Sequence, residues 1–167
     1  MEVRKLTKDD SQELNYLIYT VEQNQTSGSY KMRPSTRSHM LNERYMSVYG
    51  VYENEGYLTA AAGVTYEKEE FADLLSDIGQ KMDSVANLTF VMVHPMWRGN
   101  TYAHMLTAEL VRDVQARNIQ NLIAAVCPND EIGKRIVKSV GMELRISQAG
   151  KPSLTRDIYI LKLGGHK

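Results

Sequence analysis

The chain has 167 residues, of which 43% are hydrophobic and 24% are charged, a composition typical of one globular domain rather than a disordered or fibrous chain. Its 20 basic residues balance its 20 acidic residues, so no excess of positive charge favours nucleic acid or an anionic membrane surface. No apolar run reaches the roughly 18 residues that a membrane-spanning helix needs.

The first residues and the cysteine count bear on the cellular compartment. The start, MEVRKLTKDD, is too polar for a secretory signal. Cys127 is the only cysteine, which excludes an internal disulfide framework and suits a reducing compartment. No other residue has zinc-ligand spacing with Cys127. We therefore expect a cytoplasmic protein without a metal site, folded as a single domain over residues 1–167.

The first half of the chain predicts a strand, two helices and a hairpin. Apolar residues recur at helical spacing in 14–21, and a proline at position 34 can open a second helix that continues to about residue 45. Alternating β-rich segments at 47–52 and 57–66 are joined by the turn sequence ENEG, which indicates an antiparallel hairpin. A short strand at 3–6 precedes them.

The second half predicts alternating strands and helices. A short helix near 71–78 is followed by a strand at 85–93 and an amphipathic helix at 101–117. The run LIAAVC at 122–127 is continuously apolar, which is typical of a strand buried on both faces. A helix ending before Gly141 and strands at 142–146 and 154–161 complete the order β-α-α-β-β-α-β-α-β-α-β-β. The class is therefore mixed α/β, with about seven mostly antiparallel strands and about four helices.

The joint between the strand 85–93 and the helix 101–117 reads VMVHPMWRGNTYAHML. The first N–H groups of a helix have no partner inside it, and the helix dipole places partial positive charge there. Arg98 adds a full charge, and Gly99 adds a backbone free to turn. These features predict a site for a phosphate-bearing ligand.

The same joint resembles the GNAT N-acetyltransferase superfamily, whose members carry V-x-P, then R/Q-x-x-G-x-G/A and a long helix. The segment Val93-His94-Pro95 matches the first piece, and the register of the second is followed by Arg98, Tyr102 and Ala103. A later family block contains an asparagine, a helix and G-F, and this chain has Asn129 and then Gly141-Met142 at suitable spacing. The motifs lie between about 85 and 161, while the order of elements matches along the whole length.

The resemblance implies a GNAT-like fold with acetyl-CoA as the acyl-donor cosubstrate. In such proteins strands 4 and 5, here 85–93 and 122–127, are splayed so that the pantetheine arm lies between them, and the pyrophosphate rests on the loop and helix start. The cofactor-binding residues that this implies lie on strand 4, in the loop with the helix start, and before the next helix: Met92, Val93, Arg98, Gly99, Asn100, Thr101, Tyr102, Ala103 and Asn129.

Two positions depart from the family pattern. Thr101 stands where the family has its middle glycine, and Val137 stands where many members have a tyrosine that protonates the leaving thiolate. A thiol with a pKa of about 8.5 leaves as a thiolate that water can protonate, so the reaction does not require this tyrosine. The departures keep a second interpretation open, a non-catalytic CoA-binding or interaction module.

The catalytic base is not assigned by the sequence. The weak candidates Glu67, Glu69 and Tyr66 follow the third strand, where the family's sheet opens toward its acceptor. A carboxylate there could accept a proton from an ammonium group, although a solvated run of charge including Glu70 explains these glutamates equally well. Further residues could line the acceptor site or simply lie on the surface: Tyr30, Lys31, Arg33, Arg37 and His39.

The sequence therefore predicts an acetyl-CoA-dependent N-acetyltransferase that moves an acetyl group to an amine by direct attack. The acceptor is a small-molecule or peptide amine that the sequence does not identify. We expect a monomer or homodimer with neither a nucleic-acid nor a membrane partner.

Overall fold

Seven strands form a single sheet within the residues that the structure, a computed structural model, describes (1–24, 32–99, 101–151 and 154–164). In chain order the strands are β1 Glu2–Lys5, β2 Met46–Tyr52, β3 Leu58–Thr65, β4 Val85–Val93, β5 Asn121–Val126, β6 Glu143–Lys151 and β7 Leu154–Lys162. Their order across the sheet is β1-β2-β3-β4-β5-β7-β6. Neighbouring strands are antiparallel except for the parallel pair β4 and β5. The predicted mostly antiparallel sheet is confirmed.

The described residues also form five α-helices, one at each helix position of the predicted element order, against the rounded total of about four. They are α1 Ser11–Gln23, α2 Pro34–His39, α3 Ala72–Ile78, α4 Tyr102–Ala116 and α5 Glu131–Ser139. The helix predicted from residue 34 to about 45 ends at His39, because Met40 is extended and Leu41 has a φ of 67°. Three-residue and four-residue 3-10 helices occur at Lys8–Asp10, Lys68–Phe71 and Pro95–Trp97.

The last strands differ most from the sequence prediction. The strand expected at 142–146 continues to Lys151, because β6 pairs with β7 along its length through two register shifts. Gln148 has a φ of 54°, and its N–H donates to Asp157 Oδ1 at 2.8 Å. Such irregular pairing breaks the period-two pattern on which strand prediction depends.

The sheet separates three apolar clusters. On one face, the first cluster joins α4 and α5 to the sheet and includes Leu106, Leu110 and Val137. On the opposite face, α1 packs against β2–β4 with Leu17 and Ile18, while α3 packs separately, in a cluster that includes residues of β4, β5, β6 and β7. Within the described chain, no helix is both long and apolar enough to cross a membrane.

Candidate functional site

The gap between β4 and β5 is the main opening in the sheet. These strands pair over only four residues, from Val85 opposite Asn121 to Leu88 opposite Ala124. Beyond that point β5 continues beside β7, whereas β4 continues beside β3 as far as Val93. From Thr89 onward β4 has no β5 partner, so the predicted splay of strands 4 and 5 is present.

The backbone of β4 presents alternate residues to this gap. The His94 N–H donates to the Thr59 carbonyl at 2.8 Å, so residue 94 faces β3. Backbone groups in a strand point alternately to its two sides, and therefore Met92 also faces β3 while Val91 and Val93 face the gap. Of the two predicted backbone contacts, Val93 faces the gap, whereas the backbone of Met92 faces β3, opposite Ala61.

A β-bulge lies where the gap begins. The β3–β4 register shifts so that Gly63 is opposite Phe90 while Val64 is opposite Leu88, which leaves Thr89 as the extra residue. The Thr89 hydroxyl donates to the Asn87 carbonyl at 3.0 Å and lies 2.5 Å from the Thr65 hydroxyl. Thr89 has one hydroxyl proton, so Thr65 is the donor between the two. Bulges of this kind bend a strand and re-aim its side chains.

The loop after β4 carries the predicted anion-binding residues. His94 Nδ1 accepts a bond from the Met96 N–H at 3.1 Å, which holds the start of the loop. Arg98 is exposed, and no other described residue forms an ion pair with it. Gly99 has a φ of 90°, a conformation that side chains disfavour. Asn100 lies outside the described residues.

The start of α4 has backbone N–H groups that the N-cap side chain leaves unbonded. Thr101 is the N-cap residue, but its side chain makes no capping hydrogen bond and instead donates to Met105 Sδ at 3.5 Å. The first N–H groups of α4 are therefore not capped by this hydroxyl and can bond an anion. Ala103 lies in this first turn and is partly buried.

Tyr102 has a role that the sequence did not suggest. Its hydroxyl donates to the Glu53 carboxylate in the β2–β3 turn, and this bond raises the pKa of Tyr102. Its ring stacks on Trp97, with centroids 6.5 Å apart. Tyr102 thus ties the helix start to the hairpin, and its side chain is engaged within the protein while its backbone remains in the first turn.

Comparisons with known proteins agree on the architecture. No protein-family model matches the sequence, and no curated protein matches it. Solved structures match it over nearly its whole length. A GNAT-family acetyltransferase from Staphylococcus aureus Mu50 is 12% identical with a TM-score of 0.70, covering 98% of this chain and 99% of its own. The chain has the GNAT acetyltransferase fold.

Two further structures share this GNAT fold. A Salmonella typhimurium protein solved with its cofactor acetyl-CoA is 16% identical with a TM-score of 0.72, over 100% of this chain and 96% of the other. The ribosomal-protein-S18-alanine N-acetyltransferase of Escherichia coli is 15% identical with a TM-score of 0.68, over 99% and 96% of the two chains.

Asn129 lies on the opposite side of the gap from β4. Because β4 and β5 are parallel, the segments that follow them meet at the same edge of the sheet. Asn129 is exposed, and its carbonyl accepts a bond from the Glu131 N–H at 3.1 Å. The cap of α5 is the neighbouring Asp130, whose Oδ1 accepts from the Gly133 N–H at 2.9 Å. The Asn129 side chain therefore remains a predicted cofactor contact.

Val137, which the resemblance aligns with the tyrosine of many GNAT members, is a core residue of α5. It is 3% exposed and belongs to the cluster packed by α4 and α5. A tyrosine introduced at this position would have to enter a filled core, at a cost of about 1–3 kcal/mol. The Val137 side chain is therefore part of the core and carries no proton donor.

The Tyr66 hydroxyl forms hydrogen bonds on the α4 side of the sheet. Its hydroxyl donates to Asp113 Oδ2 at 2.9 Å and lies 2.8 Å from the Ser47 hydroxyl. The Arg117 guanidinium lies 4.1 Å from the centroid of its ring. Burial raises the pKa of Tyr66, and Asp113 raises it further. This geometry favours a structural role that ties α4 to β2, which the sequence could not reveal because the partners are distant in the chain.

The remaining catalytic candidates lie beyond β3, before α3. Glu67 is partly buried and Glu69 is exposed, and neither forms an ion pair in the described part of the chain. Arg33, expected near the acceptor site, donates to the Glu70 carbonyl at 2.8 Å and to Asp73 at 3.0 Å. Tyr30 and Lys31 lie outside the described residues. Among those described, no cluster of three or more His, Cys, Asp or Glu side chains could hold a metal ion.

Proposed function

We propose that the protein is an acetyl-CoA-dependent N-acetyltransferase that transfers the acetyl group directly to an amine. The observation that carries this proposal is the gap between β4 and β5, with Val91 and Val93 presenting backbone groups to it. Five residues of β4, Thr89–Val93, offer about 16 Å of strand edge, along which an amide-containing pantetheine arm can lie as an additional strand. The gap leads directly into the loop with Arg98.

The anionic end of the cosubstrate fits the loop and the start of α4. Arg98 is exposed and has no ion-pair partner among the described residues. The α4 N-terminus has no side-chain cap from Thr101 and carries the positive end of the helix dipole. The cationic side chain of Arg98 and the free backbone N–H groups together suit a pyrophosphate. The Salmonella protein of the same fold was solved with acetyl-CoA, which supports the same cosubstrate here.

The proposed chemistry is direct aminolysis of the thioester. The acceptor loses one proton from its ammonium, and the neutral nitrogen attacks the acetyl carbonyl carbon. A backbone N–H facing the gap, at Val91 or Val93, stabilises the negative oxygen of the tetrahedral intermediate. The C–S bond then breaks, and the second proton from nitrogen reaches the departing thiolate by way of solvent. The protein's contribution is positioning and electrostatic stabilisation.

The acceptor of this proposal is a small-molecule or peptide amine. The Escherichia coli enzyme of the same fold is named for an alanine of ribosomal protein S18, which makes unblocked peptides reasonable first acceptors to test beside simple amines. We expect a cytoplasmic protein, acting as a monomer or homodimer, in which residues 1–167 form one domain.

A non-catalytic CoA-binding module is the second candidate function. It is favoured by Val137, which places a buried methyl-bearing side chain where many members of the family have an acid. The cofactor site would be the same in both cases. The two candidates differ only in whether bound acetyl-CoA is consumed in the presence of an amine.

Three measurements on the purified protein test these candidates. Acetyl-CoA at 100 times its dissociation constant should stabilise the fold by about 2.7 kcal/mol, and native mass spectrometry should show one cosubstrate bound per chain. Release of free thiol with a panel of amines and unblocked peptides then distinguishes enzyme from binding module. Absence of both a thermal shift and a bound species at millimolar acetyl-CoA would exclude both functions.

A further inference from the structure

The face of the sheet opposite α4 and α5 carries a polar strip between its two apolar clusters. Val85 packs with α3 while Ala86 and Leu88 pack on the α4 side, so Asn87 faces the α3 side by alternation. Asn87 is 9% exposed, and its Oδ1 is buried without a hydrogen-bond partner among the described residues. With Thr65 and Thr89 beside it, this strip reaches the point where β4 parts from β5.

The strands that border the gap supply no proton acceptor. β4 reads VANLTFVMV and β5 reads NLIAAV, without a titratable side chain in either. Val137 is buried and apolar. An acceptor amine is protonated at neutral pH, since the pKa of a lysine side chain in water is about 10.4, and it must lose a proton before it can attack. The elements that pack over this part of the sheet do carry titratable groups, among them the 3-10 helix Lys68–Phe71.

Glu70 lies close to His39, on an element that contacts β4. Glu70 lies in the 3-10 helix Lys68–Phe71, which contacts β4, and His39 is the last residue of α2. His39 Nδ1 lies 3.8 Å from Glu70 Oε2, too far for a direct hydrogen bond. The His39 ring stacks on Tyr45 with centroids 4.2 Å apart, which fixes its orientation.

Both residues have buried polar atoms without partners. His39 Nδ1 and Glu70 Oε1 make no hydrogen bond in the described part of the chain, although an unsatisfied buried polar atom costs about 1–3 kcal/mol. The Glu70 side chain is 19% exposed and that of His39 is 32% exposed. A ligand bearing N–H donors, such as an ammonium, would satisfy the Glu70 oxygen.

The neighbouring charges are largely paired with one another. Arg33 and Arg156 both bind Asp73, at 3.0 and 2.9 Å, and Arg156 also lies 3.9 Å from Asp77. Three further cations lie on the adjoining elements, namely Arg37 beside Glu22, Lys68 on the Met82 carbonyl and Arg44 over the Tyr45 ring. The Arg33 guanidinium bonds the Glu70 carbonyl rather than its carboxylate. Among the described side chains, His39 is the only basic one with a nitrogen within 4.0 Å of the Glu70 carboxylate.

We infer that the Glu70 carboxylate binds the ammonium of the acceptor and takes its proton, and that this proton passes through a bridging water to the His39 imidazole, which releases a proton to solvent. This inference rests on the proposed acetyltransferase function. The ammonium N–H bond breaks and an O–H bond forms on Glu70. The neutral amine then attacks the thioester, and the second proton of the nitrogen reaches the CoA thiolate. The acceptor is accordingly a cationic primary or secondary amine.

The test uses phenylethylamine and an unblocked tetrapeptide as ammonium probes, and hydroxylamine as a nucleophile whose nitrogen is unprotonated at neutral pH. Glu70→Gln should lower kcat/KM for the ammonium probes by roughly 100-fold or more. It should leave the hydroxylamine rate, corrected for the uncatalysed reaction, within about threefold of wild type. Acetyl-CoA affinity and melting temperature should be unchanged, and Glu70→Asp should restore part of the rate.

Glu22→Gln is the matched control. Glu22 is 23% exposed and lies 3.9 Å from Arg37 of α2, so it has similar burial and a similar ion pair without a place in the proposed site. An unchanged rate in Glu70→Gln, or an equal loss in Glu22→Gln, would overturn this inference while leaving the enzyme assignment intact. If wild type binds acetyl-CoA but turns over none of the three probes, the enzyme assignment fails and the inference fails with it.

Discussion

The hydrogen bond from the His94 N–H to the Thr59 carbonyl, at 2.8 Å, sets the orientation of the backbone at the end of β4. Since that bond points toward β3, the N–H of the preceding residue, Val93, points toward the gap. The free edge of β4 is therefore available to a ligand without loss of any bond between β3 and β4. Because backbone groups point to opposite sides at successive residues, Val93 presents its N–H to the candidate cofactor site.

Replacement of Val93 by proline should weaken acetyl-CoA binding while leaving the protein folded. Proline removes the N–H that faces the gap, and strands tolerate proline where that group is not part of a ladder. We expect at least a tenfold increase in the dissociation constant by calorimetry. Met92→Pro is the matched control, because it removes an N–H that faces β3 and should destabilise the fold itself. Normal affinity in a folded Val93→Pro protein would contradict the proposed path of the pantetheine arm.

Arg98→Glu should weaken CoA binding about 10- to 100-fold, as expected for the loss of a charge-assisted bond worth about 1.5–3 kcal/mol. Acetylpantetheine lacks the pyrophosphate, and its affinity should not change. Lys81→Glu serves as the control, since Lys81 is 89% exposed and precedes β4 at the opposite end from the loop. Equal effects of the two reversals would indicate general electrostatic attraction rather than a phosphate site.

Gly99→Ala should affect stability and binding together. Gly99 has a φ of 90° and Gly79 a φ of 71°, and an added Cβ would meet nothing within 4 Å at either position. Both substitutions therefore cost about 1–2 kcal/mol of backbone strain. Only Gly99→Ala should also raise the CoA dissociation constant, because it reshapes the loop after β4. Identical CoA affinities in the two variants would show that this loop does not contact the ligand.

Tyr66→Phe distinguishes a structural tyrosine from a catalytic one. The change removes a hydrogen bond to the partly buried Asp113 and should reduce the free energy of unfolding by about 1–3 kcal/mol. The value of kcat with any amine that supports turnover should stay within about twofold of wild type. A loss of rate without a loss of stability would make Tyr66 a catalytic candidate again.

Because of Asp113, the free energy of unfolding should depend on pH in the acid range. Burial opposes its ionisation, but hydrogen bonds from Ser47 and Tyr66 and the charges of Lys5 and Arg117 outweigh burial and lower the pKa of Asp113. The native pKa is below the unfolded value of about 3.9, so this stabilisation is present above a pH of about 3.9 and is lost as the pH falls through the native pKa.

Asp113→Asn measures this contribution. The variant should be less stable than wild type by about 1–3 kcal/mol at pH 7, and the difference should shrink as denaturation is repeated below pH 4. A difference that stays constant from pH 7 to pH 3 would mean that the carboxylate charge contributes nothing to the network.

The elements and their order can be predicted from the amino-acid sequence, because hydrophobic periodicity and turn residues are local properties of the chain. The sequence predicts the strand Val85–Val93 with its observed bounds, and it places the loop with Arg98 and Gly99 correctly between β4 and α4. The residue type permits the left-handed backbone found at Gly99, since glycine alone adopts it without steric strain.

The backbone groups that face the gap, and the side chains that meet, depend instead on how the elements pack. The bulge at Thr89 changes the register by one residue, and no pattern in VANLTFVMV marks its position. Tyr66 and Glu70 are close in the sequence, yet one bonds Asp113 under α4 while the other faces His39 of α2. These differences arise because contacts between distant segments depend on strand pairing and helix packing, and neither is encoded in the local periodicity of a single segment.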